Sequence, residues 1–131
     1  FEKQKIKINK IIKVKLDKMF NICDIVCISL NLNSTTKYII NSKVLKNANK
    51  KLIIINAARG AIINEDHLYN FLKKNKFAEA YLDCFIKEPY KGNLLKLNNV
   101  YPLPHIASYT YETRRDMELA ASRNLINFLE N

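Results

Sequence analysis

A chain of 131 residues is long enough for one domain with a real core, and 48% hydrophobic with 26% charged residues is a soluble globular composition. No apolar run approaches the roughly 20 residues of a membrane span, and the charged N-terminus, lacking an apolar h-region, predicts no secretory signal. The net charge of +10 could serve an anionic partner, but the lysines are scattered among Asn and Ile along the chain, which reads as biased background composition rather than a nucleic-acid-binding face.

Three cysteines, odd in number and without a CxxC pair, predict free thiols in a reducing, cytoplasmic setting. Cys23 and Cys27 lie in an apolar run, so buried thiols are expected there and no metal site.

Residues 1–10 read as a ragged, solvated start. Ile12, Val14 and Leu16 alternate with lysines, predicting a half-exposed edge strand over 11–16. Asp17 to Phe20 reads as a short helical turn capped by Asp17. The run 24–30 is apolar at successive positions, as a strand covered on both faces must be. A polar loop follows over 31–36, then a short helix over 41–48.

The strand at 52–56, Leu-Ile-Ile-Ile-Asn, runs into a tight loop of small residues carrying Arg59 and Gly60. Asn64 offers an N-cap, Glu65 and Asp66 a favourable first turn, and Leu68, Phe71 and Leu72 an apolar stripe, predicting a helix over 64–75. On that charged helix His67 is expected to be solvated. A strand follows over 78–85, where Ala78 and Ala80 would let a helix pack close. The two prolines of 99–104 predict a short extended segment. Met117, Ala120, Ala121, Leu125, Phe128 and Leu129 mark one face of a helix from about Thr110 to the end. Strands alternating with helices predict an α/β fold with a parallel sheet and flanking helices.

In such sheets ligands sit outside the carboxyl ends of the strands, where Arg59, Glu88 and His105 all fall. An Arg, a carboxylate and a His converging on one sheet edge suit the oxidation or reduction of a carboxylate-bearing substrate.

Four pieces of this chain match a known pattern in order: Cys23-Asp24-Ile25-Val26, Asn56-Ala57-Ala58-Arg59-Gly60, Leu82-Asp83 with Glu88-Pro89, and Pro104-His105-Ile106-Ala107. They resemble the NAD-binding domain of the D-isomer-specific 2-hydroxyacid dehydrogenases. Glu88 stands five residues after Asp83, as that family's catalytic Glu does. The tail from Pro104 to Arg114 looks most like the glyoxylate/hydroxypyruvate reductase branch.

The resemblance implies a Rossmann-like fold, NAD or NADP as cofactor, and a small 2-oxo or 2-hydroxy acid as substrate. Arg59 would hold the substrate's carboxylate or carbonyl. His105 would be the acid/base. Glu88 would hydrogen-bond the imidazole, orient it and favour its protonated form. Leu30 and Leu32 would border the adenine side, with Ser29 and Asn31 where the family often has His and Pro. Ala57, Ala58 and Ala107 would lie near the cofactor with Arg59 and His105, and Asp83 near the nicotinamide carboxamide. Unaided, Asp83 could equally cap a loop.

Gly60 and Gly92 are the only glycines, so no GxGxxG is present to hold a pyrophosphate. Residues 1–131 therefore read as a partial NAD(P)-binding domain, with the N-terminal half and the substrate domain missing: a fragment, a truncated form or a decayed gene product. The full-length enzyme is expected to be a homodimer. The phosphoglycerate dehydrogenase branch shares the same three catalytic residues and is the alternative enzyme. A catalytically dead remnant acting as a binding or co-repressor-like protein is the alternative from another class.

Overall fold

The computed structural model describes residues 12–130. Four parallel strands, β1 (Ile25–Ile28), β2 (Ile53–Asn56), β3 (Glu79–Leu82) and β4 (Val100–Pro102), form one sheet in the order β1-β2-β3-β4. Helix α1 (Leu16–Ile22) precedes the sheet, α2 (Ser42–Leu45) and α3 (Glu65–Lys74) connect its strands, and α4 (Tyr111–Leu129) follows it. The predicted α/β Rossmann-like class is what the chain adopts.

Register explains the two faces of the sheet. Val26, Ile54, Ala80 and Val100 pair in one row, and all four are buried. They share the core with Phe20 of α1, Val44 and Leu45 of α2, and Leu68, Phe71 and Leu72 of α3. Strands laid down in sequence order through right-handed crossovers put their connections on one face. The opposite face carries Ile25, Cys27, Tyr81 and Tyr101, all exposed, with the two tyrosines stacked 4.4 Å apart. Two expectations are corrected here. The 24–30 run is covered on one face only among the described residues, and Cys27 is exposed rather than buried. Cys23 is half-buried and Cys84 buried, and all three thiols are free. Burial pushes the Cys84 thiol up to about 11.

The edge strand at 11–16 is also corrected. Residues 12–15 are irregular, Leu16 opens α1, and Ile11 with residues 1–10 lies outside the described residues. Leu16, Met19 and Phe20 form an i, i+3, i+4 set on the core, which outweighs the local alternation. Lys15 occupies the N-cap and Asp17 the first turn.

Helix α3 begins as predicted, with the Asn64 side chain accepting from His67 N–H at 3.0 Å. His67 is half-buried and tethered rather than solvated: its Nδ1 accepts the Ser42 N–H at 3.2 Å, joining α3 to α2. Thr110 caps α4, accepting from Thr113 N–H at 3.2 Å, yet the apolar stripe of that helix buries no residue. No helix among the described residues is long and apolar enough to cross a membrane.

Candidate active site

Ile28, Asn56, Leu82 and Pro102 stand in one row across the sheet, so all four strands end level and their loops emerge along one edge. Arg59, Glu88 and His105 follow β2, β3 and β4 within a few residues, which puts all three at that edge.

The β2 loop is shaped by Asn56, which is 1% exposed. Its Oδ1 accepts the Ala58 N–H and its Nδ2 donates to the Arg59 carbonyl, each at 3.1 Å. The loop thus bends around a satisfied buried amide and presents Arg59 to solvent. One guanidinium nitrogen donates to the Ala58 carbonyl at 2.6 Å. A cavity of about 600 Å³ opens here, lined by Leu30, Leu32, Ala57, Ala58 and Arg59, so the predicted cofactor-side residues of the first two loops meet in one place.

A 3-10 turn over Gly60–Ile62 follows. Gly60 lies so close to the Phe85–Ile86 peptide that a Cβ would overlap the Phe85 carbonyl carbon. The β2 and β3 loops are therefore in direct backbone contact. Glu65, in the first turn of α3, accepts the Ile86 N–H at 2.8 Å, and Glu88 accepts the Phe85 N–H at 2.9 Å.

Across the edge, Glu88 Oε2 lies 2.9 Å from Nδ1 of His105. The structure brings together the carboxylate and imidazole that the sequence put 17 residues apart. His105 has φ +58°, in the left-handed region. The two residues after it are clamped: Asp83, 4% exposed, accepts the Ile106 and Ala107 N–H groups at 2.8 and 2.9 Å. Asp83 thus ties the end of β3 to the loop that carries His105. The sequence reading overlooked the structural roles of Asn56 and Glu65. Its one available signal was a polar residue closing an all-isoleucine run.

The Glu88 carboxyl is held below the usual carboxylate range, first by the Phe85 N–H and then by the His105 hydrogen bond. A lowered carboxylate stabilises the folded state above its unfolded pKa, and that contribution is lost as pH falls through the lowered value. Carbon-13 titration should therefore place Glu88 below ordinary glutamates. In His105→Ala it should rise only part of the way, because the larger cause, the Phe85 N–H, remains. Full return to the ordinary range would show that the imidazole dominates.

A sequence model described as "D-isomer specific 2-hydroxyacid dehydrogenase, NAD binding domain" matches residues 2–107. The chain belongs to that family. Glyoxylate/hydroxypyruvate reductase B of Pectobacterium atrosepticum is 42% identical over 113 residues, covering 85% of this chain and 35% of the relative. Among solved structures, a glyoxylate reductase from Paecilomyes thermophila superposes with a TM-score of 0.84 at 36% identity, covering 90% of this chain and 36% of that one. An acyclic imino acid reductase in complex with NADPH and D-arginine superposes at 0.82 with 31% identity, covering 89% and 38%. The chain thus spans about a third of the length of the relatives it matches. Within this NAD-binding family, the 600 Å³ cavity at the strand ends fits part of a nicotinamide dinucleotide. Small, uncharged walls at Ala57 and Ala58 allow close approach.

Proposed function

We propose that residues 1–131 form a partial NAD(P)-binding domain of a 2-hydroxyacid dehydrogenase, and that the complete enzyme interconverts small 2-oxo and 2-hydroxy acids such as glyoxylate or hydroxypyruvate and their reduced forms. The observation that carries this reading is the Glu88–His105 pair at the same strand-end edge as Arg59 and its cavity. A bound nicotinamide supplies the hydride in reduction and accepts it in oxidation.

His105 handles the accompanying proton. With Nδ1 engaged by Glu88, Nε2 is the nitrogen left to donate to the carbonyl oxygen as hydride reaches the carbonyl carbon. In oxidation the same nitrogen takes the hydroxyl proton back. Glu88 holds the ring through Nδ1 and so fixes its orientation. Arg59 grips the substrate carboxylate through its planar fork of donors. Leu30, Leu32, Ala57, Ala58 and Ala107 line the cofactor side. Asp83 has lone pairs beyond those used by the clamp and borders the nicotinamide end. Free thiols support a cytoplasmic location. The complete enzyme is a homodimer in this reading, which sedimentation tests.

The activity test places residues 12–130 in the matching third of a homologous glyoxylate reductase. In that assembled enzyme Arg59→Lys should lower kcat/KM for glyoxylate by roughly 10–100-fold, the loss of a charge-assisted two-point hydrogen bond. Lysine at this position working as well as arginine would remove Arg59 from substrate binding.

A further inference from the structure

We infer that Glu65 is a positioning residue: from the first turn of α3, its carboxylate holds the Phe85–Glu88 turn where Glu88 meets His105. The inference deepens the proposed function and rests on the Glu88–His105 pairing.

Four contacts in series carry it. Glu65 Oε1 accepts the Ile86 N–H at 2.8 Å. The peptide that owns this N–H is the one pressed against Gly60. The neighbouring Phe85 N–H donates to Glu88 Oε1 at 2.9 Å, and Glu88 Oε2 reaches His105 Nδ1 at 2.9 Å. Phe85 anchors the start of the turn, buried and stacked on Tyr90, but Ile86, Lys87 and Glu88 are exposed, so beyond Phe85 the Glu65 bond and the Gly60 contact are what hold it.

A plain first-turn acid would behave like its neighbour Asp66, which is exposed. Glu65 is instead half-buried; burial raises its carboxyl, and the Ile86 N–H opposes that rise. A carboxylate withdrawn from water to accept a backbone N–H from another segment costs solvation, and the bond offsets that cost. The bond is spent on the turn that carries Glu88.

Two variants of the chain separate this role from helix-end electrostatics. Glu65→Asp keeps the charge in the first turn of α3 but is one methylene too short to reach Ile86. Glu65→Gln keeps the reach and an acceptor oxygen but loses the charge. The carbon-13 titration of Glu88 should move up by about half a pH unit or more in Glu65→Asp, as its hydrogen bonds loosen. It should stay in place in Glu65→Gln. In the unaltered chain, the Ile86 amide proton shift should follow the titration of Glu65, above the ordinary glutamate range. An unmoved Glu88 in Glu65→Asp, an equal movement in Glu65→Gln, or an Ile86 amide blind to Glu65 would each overturn the inference. None of these readings needs turnover. An assembled enzyme indifferent to Arg59→Lys would count against the proposed function and leave this result standing.

Discussion

His105→Ala in the assembled reductase should lower kcat by roughly 10²–10⁴-fold, the usual worth of a positioned general acid. The only other His, His67, joins α3 to α2 and is not at the site edge, so no neighbouring imidazole can substitute. The defect should fall on kcat rather than KM, because the proposed substrate grip is that of Arg59 and proton delivery matters in the transition state. Asp83 should still hold the loop in the variant, since it binds the Ile106 and Ala107 backbone and not the imidazole. Circular dichroism should accordingly be unchanged. A kcat within tenfold of the unaltered enzyme would end the acid/base assignment.

The largest loss of stability should come from Gly60→Ala. A Cβ at Gly60 would meet backbone, the Phe85 carbonyl carbon and the Ile86 nitrogen, neither of which can rotate away. Overpacking of this kind costs roughly 1–3 kcal/mol or more, and for a domain of this size the thermal midpoint should fall by about 5–15 °C. The Glu88 titration should move too, because the displaced peptide belongs to the turn that positions that carboxylate. Gly92→Ala is the control. A Cβ there meets the phenol end of Tyr90, which is stacked on Phe85 but is side chain rather than backbone and can shift further, so its cost should be smaller. Equal losses from the two alanines would show that the Gly60 contact relaxes easily.

The fold class was legible because it rests on short-range signals. The apolar runs within 24–30 and 52–56, the Asn64 cap and the Leu68, Phe71, Leu72 stripe are local choices that the structure keeps. Where the sequence misled, a local pattern was overruled by packing. Lys-apolar alternation over 12–16 resembles a strand, but Phe20 is wholly buried in the core and brings its helix back to Leu16. The apolar run of β1 predicts packing on both sides, yet a sheet laid down in sequence order carries its connecting helices on one face. His67 looked solvated because its partner, the Ser42 N–H, lies 25 residues away.

The site divides along the same line. Arg59, Glu88 and His105 stand out in the sequence as candidates through their joint order, their placement after recognisable strands and the family resemblance, not through any one residue alone. Parallel strands further imply that their ends share an edge. The resemblance already implied Glu88 on His105, and the tertiary structure makes that contact; only the structure decided Asp83 on the backbone of 106 and 107, and Glu65 on the peptide of Ile86. These are hydrogen bonds of about 3 Å between loops remote in sequence, and spacing carries no information about them. Periodicity records which face of an element is apolar. The meeting of two loops depends on how closely their strands and turns pack, and here on the missing side chain of Gly60.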